Sequence, residues 1–454
     1  MNTSTLGFYG GVGSVTGANF MLHTGNTTLL VDCGLIQGNR FTQEANAEPF
    51  VYDPTTVDTL LVTHAHADHI GRIPKLVREG FTGTIYSTPP TKALASVMLR
   101  DAIKVMRYEQ ERYGAKLLYE DSDIDRALTL WETKPYQEPF SVGDEVTAEF
   151  TNVGHILGSA MVQLTRGSKK IVFTGDIGNV PQPLLAAPDI PRDYDYLVME
   201  SVYGDRLHEQ VAERTALLAG YIEAARKKGG ALIIPAFSLE RTQAMLFEIN
   251  NLVESGTIKP LPVFLDSPLA ISVTNLYRQY TQYLKPEVQK QIAAGDDIFE
   301  FSGLEFTKTV KESHEIDAVK GAKIIIAGSG MSHGGRIRRH EQNYLNDPAA
   351  TVLLVGYQSV GSLGRLLHDG AKKVKIDDVE VKVKADIARI SGYSGHADRD
   401  QLIDLVAQGG DRTKQVFVTM GEERSSLFLT QRLRDYLGLN AVAPSLNEEV
   451  KIEF

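Results

Sequence analysis

The sequence predicts an α/β protein with more than one core, and three observations lead there. Short apolar, β-branched runs recur along the chain, and several of them end in a histidine or a carboxylate. From Leu207 onward such runs alternate with helical periods, the pattern of a mostly parallel sheet. The chain has 454 residues, 43% hydrophobic and 23% charged, which is globular in composition and long enough for two or three cores.

Composition also narrows the setting. A single cysteine, Cys33, rules out an internal disulfide framework and fits a reducing cytosol. Met1-Asn2-Thr3-Ser4-Thr5 carries no basic segment followed by an apolar core, so no signal peptide is expected, and no run approaches the length of a membrane span. A net charge of −10 argues against sequence-independent coating of nucleic acid, while leaving room for a local basic groove.

Taken in order, Leu6 to Gly17 interleaves glycine with apolar residues and reads as a strand, a tight loop and a strand. It lacks the lysine of a phosphate-binding P-loop. Thr27-Thr28-Leu29-Leu30-Val31 is a strand running into Asp32, either a turn residue or a group that orients a metal-ligating histidine from behind. Thr59-Leu60-Leu61-Val62 is the next buried strand, and it leads into Thr63-His64-Ala65-His66-Ala67-Asp68-His69. Side chains two apart at a strand end point to one side, and Asp68 and His69 reach the same space from the turn beyond. Four ligand-type side chains within six residues suit a pair of divalent metals that take imidazole nitrogen and carboxylate oxygen.

A short strand at Gly83–Thr88 is followed by a long helical period from Thr91 to Tyr113, with Leu94, Val97, Met98, Ala102, Val105 and Met106 on one face. Ligand chemistry then returns twice at strand ends, at His155 and at Asp176. Tyr196–Met199 is a further strand, ending in Glu200. Beyond it lie a helix over Gln210–Lys228, a strand at Gly229–Pro235, a helix over Arg241–Val253, and strands at Pro262–Asp266 and Lys323–Ala327. The last of these opens into Gly328-Ser329-Gly330-Met331, ahead of a helix starting near Gly335. Backbone N–H groups at such a turn can hold an anion, so Ser329 and Gly330 are candidates for binding phosphate; the alternative is a tight turn. Arg336, Arg338, Arg339 and His340 are a low-specificity candidate for holding nucleic-acid backbone, or else a solvated helix face. Ile390-Ser391-Gly392-Tyr393-Ser394-Gly395-His396 closes the series.

Asp32, His64-x-His66-x-Asp68-His69, His155 and Asp176 resemble, in identity and order, the motifs of the metallo-β-lactamase superfamily. With Glu200 and His396 the chain resembles the β-CASP group within it, Glu200 matching motif A and His396 motif B. The nearest look-alikes are bacterial and archaeal ribonucleases related to the endonuclease subunit of the mRNA 3′-end cleavage factor. The resemblance implies an αββα sandwich with an inserted β-CASP α/β domain: residues 1–206 form the first part of the metallo-β-lactamase domain, 207–388 the insert, and 389–454 the return segment. It implies further that the insert closes a nucleic-acid channel over a centre of two Zn²⁺ about 3.5–4 Å apart, Mn²⁺ being an alternative. His64, His66 and His155 would hold the first ion, Asp68 and His69 the second, with Asp176 bridging; Asp32 would steady a ligand. Asp68, Asp176, Glu200 and His396 are thus the implied catalytic groups, His396 as general acid with Glu200 fixing its tautomer.

One position departs from the family pattern. Where the RNA-acting relatives end a strand in His-Gly-Glu, this chain has Met420-Gly421-Glu422, so a ligand to the second metal is replaced by methionine. A neutral thioether is a poor zinc ligand, and Met420 is expected to pack at the strand end. The expected function is metal-dependent cleavage of RNA, in the cytoplasm and off the membrane, with a homodimer left open. Against it stand a same-fold hydrolase of small esters and an RNA-binding scaffold with weakened catalysis. No zinc ribbon, RNP-type aromatic motif or basic tail is present, so any RNA selectivity must come from the channel.

Overall fold

The computed structural model describes residues 3–38, 44–143, 145–208, 211–356, 358 and 361–454. They gather into two compact units. The first takes the chain up to Gln182, Ala186–Leu207 and His396–Phe454; the second takes Pro183–Leu185 and His208–Gly395.

Among the described residues the first unit holds two seven-stranded sheets. One runs in the order Glu448–Glu453, Thr3–Gly10, Asn19–Thr24, Thr27–Val31, Thr59–Leu61, Thr84–Ser87, Trp131–Thr133. The other runs Ala441–Val442, Gln415–Val418, Tyr196–Met199, Lys169–Phe173, Ala160–Arg166, Val146–Asn152, Phe140–Gly143. Strand side chains alternate between faces, and the sequence supplies apolar residues for both. Ile171, Phe173, Tyr196, Val198 and Phe417 turn inward and meet Leu6, Phe8, Phe20, Leu22, Leu29 and Val31 of the first sheet. Their neighbours Val172, Leu197, Met199, Val416 and Val418 turn outward onto Leu402, Leu405, Val406, Leu429 and Leu433. Those leucines and the valine belong to helices Arg399–Ala407 and Glu423–Leu437. This is the α/β sandwich that the sequence implies.

Each sheet is antiparallel in one half and parallel in the other. Thr27–Val31 and Thr59–Leu61 run parallel, as do Lys169–Phe173, Tyr196–Met199 and Gln415–Val418. Parallel strands end on the same edge, and the residues just past those ends are Asp32, Thr63-His64, Asp176, Glu200 and Met420. The carboxyl edge of parallel strands is where such folds place their chemistry.

The long helix starts two residues earlier than its periodicity predicts, at Pro89, and runs to Tyr113. Pro89 and Pro90 fill a first turn whose N–H groups have no partner within the helix, and the Thr88 hydroxyl accepts from the N–H of Thr91. The helix expected from Gln210 is described from Val211 to Lys228, Gln210 lying outside the described residues.

The second unit is built on a sheet ordered Leu304–Phe306, Val263–Leu265, Lys323–Ala327, Ala231–Pro235, Thr351–Leu354, Asp386–Arg389, parallel at every pairing. Asp266, at the end of its second strand, is fully buried and accepts hydrogen bonds from Arg336 at 2.6 Å, His340 at 2.7 Å, Thr307 at 2.7 Å and Ser313 at 2.5 Å. Burial opposes its charge, but these donors outweigh it and hold the carboxyl well below the usual range.

That network gives the basic run partners within its own unit. Arg336 and His340 belong to Asp266, Arg338 reaches Asp377 at 3.0 Å, and Arg339 reaches Asp317 at 2.5 Å. The three arginines neutralise carboxylates of their own unit, and His340 hydrogen-bonds to Asp266. Ser329 has partners within its turn: its N–H donates to the Gly334 carbonyl, and its hydroxyl oxygen accepts from the N–H groups of His333 and Gly334. A Cβ on Gly330 would come within 2.6 Å of the Phe237 ring. The loop has the geometry of a tight turn against an aromatic ring, and Ser329 offers no spare N–H to an anion.

Candidate metal centre

The path of the chain beyond the strand Thr59–Leu61 shapes the histidine stretch. His66 precedes a single helical turn, Ala67–Ile70, which carries Asp68 and His69 back over the sheet edge. The turn is tied down by its backbone: the Asp68 carbonyl accepts from Ala18 N–H, and the His69 carbonyl from Cys33 N–H. This approach requires Gly34, because a Cβ there would lie 1.5 Å from the Asp68 carbonyl oxygen.

His64 Nε2 and His155 Nε2 each lie 3.1 Å from His66 Nδ1. The same two atoms are 3.4 and 3.5 Å from Asp176 Oδ2. His66 Nδ1 carries either one lone pair or one N–H, so it cannot bond to two ring nitrogens at once. A cation between the four atoms removes the conflict. With metal–ligand distances of about 2.0–2.1 Å, a tetrahedral ion needs its donors about 3.3–3.4 Å apart, close to the spacings found. Burial lowers the pKa of all three imidazoles, which keeps them neutral, the form that ligates metal.

Asp176 turns its other oxygen to His69, with Oδ1 3.3 Å from Nε2. Both atoms are buried, and among the described residues neither finds a hydrogen-bond partner. His69 gives its Nδ1–H to Asp32 at 2.7 Å. Asp32 also accepts the N–H of Thr63 at 2.8 Å and its hydroxyl at 2.7 Å. Burial opposes a charge on His69, but Asp176 and Asp32 outweigh it and hold its pKa well above the imidazole range. A second cation between Nε2 and Oδ1 would take that proton's place, the donors being an imidazole backed by a carboxylate and a bridging carboxylate. The residues therefore fit a metal at Asp176 Oδ2, while Oδ1 and His69 Nε2 present a pair of donors on the other side.

Asp68 is placed less tightly. Among the described residues, the groups of at least three donors within 4.8 Å are His64, His66, His155 with Asp176, and Asp176, Glu200 with His396. Asp68 and His69 join neither. Burial pushes the Asp68 carboxyl up to about 6, against the pull of His69.

Glu200 and His396, 196 residues apart, meet at 3.1 Å between Oε1 and Nδ1. The Glu200 carboxylate is fixed by the N–H groups of Ile177 at 2.6 Å and Val202 at 3.1 Å. His396 Nδ1 also lies 4.0 Å from Asp176 Oδ2. Burial works against the imidazolium, yet Glu200 lifts its pKa to about 9. Two contributors escaped the sequence reading. Thr63 pins Asp32 and reaches His64 Nδ1 at 3.0 Å, and the Ser159 hydroxyl accepts the N–H groups of His155 and Ile156. A hydroxyl residue next to a ligating histidine was the available signal for Thr63; nothing marked Ser159.

Three family models match the chain: a metallo-beta-lactamase superfamily domain over residues 21–190, a Beta-Casp domain over 242–367, and a Zn-dependent metallo-hydrolase RNA specificity domain over 380–444. The chain is 35% identical to Ribonuclease TTHA0252 of Thermus thermophilus, over 94% of its own length and 95% of that protein. It is 30% identical to an RNase J-like protein of Methanocaldococcus jannaschii over 97% of both chains. To transcription termination factor FttA of Methanosarcina mazei it is 29% identical, over 98% of this chain and 71% of that one. A solved structure of a protein of unknown function from Enterococcus faecalis V583 shares the fold, with a TM-score of 0.55 at 12% identity over 99% of this chain and 100% of that one. Motifs, sandwich and similarity agree that the chain belongs to the β-CASP group of the metallo-β-lactamase superfamily.

Proposed function

We propose that this chain is a metal-dependent ribonuclease that hydrolyses RNA phosphodiester bonds at the centre around Asp176. The observation that carries the reading is the division of Asp176: one oxygen faces His64 and His155, which share a donor group with His66, and the other faces His69. Relatives named as ribonucleases, and a matched model described by RNA specificity, support RNA as the substrate.

In this reading His64, His66, His155 and Asp176 would hold one ion, and His69 with Asp176 would hold the other, Asp68 joining neither close donor group. Three imidazoles with one carboxylate form a zinc set, while the second position also suits Mn²⁺. Such ions, when bound, lower the pKa of a coordinated water toward 7 and neutralise charge on the phosphoryl oxygens. Hydrolysis replaces the phosphorus bond to the ribose oxygen with one to a water oxygen, a proton from the water passing to solvent while the ribose oxygen takes one up. His396 delivers a proton to that oxygen; its Nδ1–H is held by Glu200, and the carboxylate favours the charged ring. Glu200, fixed by two backbone N–H groups, thereby keeps the acid oriented.

No helix among the described residues is long and apolar enough to cross a membrane. We place the activity in the cytoplasm, consistent with a single buried thiol. The test is metal analysis of the purified chain together with end-labelled RNA incubated with and without chelator. Bound zinc and chelator-sensitive cleavage are expected, and product lengths distinguish internal cutting from 5′-exonucleolytic trimming. Full cleavage after complete metal removal would overturn the reading.

A further inference from the structure

Met420 follows the strand Gln415–Val418 and lines a small cavity together with His69, Asp32, Thr63 and Glu200. Its backbone is left-handed, with φ of 44°, and its N–H donates to the Gly11 carbonyl at 2.6 Å. The side chain is 2% exposed and belongs to the core between the two sheets, beside Phe20 and Phe417. Its sulfur lies against Gly11 so closely that a Cβ there would come within 2.4 Å of Sδ. The thioether is thus seated on the glycine-rich N-terminal loop. The donors around Asp176 are correspondingly unequal. Three imidazole donors gather around Oδ2, whereas among the described residues Oδ1 and His69 Nε2 are joined by no third donor within the same 4.8 Å.

We infer that the two metal positions differ in kind: the one at Asp176 Oδ2 is tight and permanent, the one at Oδ1 is weak and exchangeable, and Met420, by packing on Gly11, sets the difference. This rests on the metal-centre reading and deepens it. Each neutral imidazole or carboxylate added to a site raises its affinity for a borderline divalent ion, and a thioether buried in the core adds nothing for zinc. Free metal then governs how much of the chain carries the second ion.

The test is zinc titration into stripped full-length chain against a chelator of known affinity, with metal content as the readout. The wild type should fill one position at least tenfold more tightly than the other. Met420→Leu, which conserves volume, should leave both affinities within about threefold, because no coordinating sulfur is lost. Met420→His should tighten the second position at least tenfold and leave the first unchanged. Two equally tight positions in the wild type, or a weaker second position in Met420→Leu, would overturn the inference while leaving the metal centre standing. Absence of even the first, tight uptake would overturn the centre itself. Should Met420→His fail to fold, the wild type and Met420→Leu decide alone.

Discussion

His69 Nδ1 lies 2.7 Å from Asp32 Oδ2, and that carboxylate is held in turn by both the N–H and the hydroxyl of Thr63. The arrangement leaves His69 one orientation, with Nε2 toward Asp176. Asp32 itself has a φ of 59°, a conformation that asparagine tolerates. Asp32→Asn should therefore fold normally while loosening the hold on His69. Its zinc affinity at the His69 position should fall about 10–100-fold. Zinc competition measures this, and an unchanged second affinity would mean that Asp32 serves the turn alone.

His64→Ala and Asp176→Ala should each reduce RNA cleavage below detection. His64 supplies one corner of the tighter donor set, and Asp176 serves both positions. Neither belongs to the apolar clusters that hold the sandwich, so far-ultraviolet circular dichroism should match the wild type. Full activity in either variant at high purity would defeat the two-metal reading.

His396→Ala tests the proton transfer. Loss of a general acid should slow cleavage by roughly 10²–10⁴-fold with little change in RNA affinity. A nitrophenyl phosphodiester, whose leaving group needs no proton, should be far less affected. Equal losses on the two substrates would assign His396 to binding or to structure.

How far the sequence discloses this molecule depends on whether a feature is local. The donors at strand ends are legible because period-two strands and the spacing in Thr63–His69 are local properties, and the parallel halves of the sheets then carry those ends to one edge. Partners remote in sequence are not legible. Arg336 stands in a run that reads as a cationic face, yet its carboxylate, Asp266, comes from 70 residues earlier. Ser329 looks free for a different reason: its partners, His333 and Gly334, are near in sequence but meet it only when the turn closes. Met420 falls between the two cases. Its chemistry is readable as a poor zinc ligand, but its seat on Gly11 joins the two ends of the chain and needs the fold.

Glu341 supplies a prediction about the second unit. It lies on the helix Ile337–Tyr344, fully buried, with Oε1 accepting from the Ser332 hydroxyl at 2.5 Å and Oε2 without a partner among the described residues. Burial pushes its carboxyl up to about 8. The folded chain keeps this proton up to that pH, whereas the unfolded chain releases it near the ordinary value of about 4.3. Between those limits the folded state binds more protons, so stability falls as pH rises. The contribution is complete below about pH 4 and is lost as pH passes through 8. Glu341→Gln keeps an acceptor for Ser332 and needs no proton, so it should match the wild type near pH 5 and be the more stable chain at pH 8. Hydrogen exchange of the central strand Lys323–Ala327, compared between the two chains at pH 5, 6.5 and 8 after correction for intrinsic rates, isolates this group from the other carboxylates. A difference in stability that stays constant across that range would show that Glu341 is ionised in the folded chain, with an unseen cation or water satisfying Oε2.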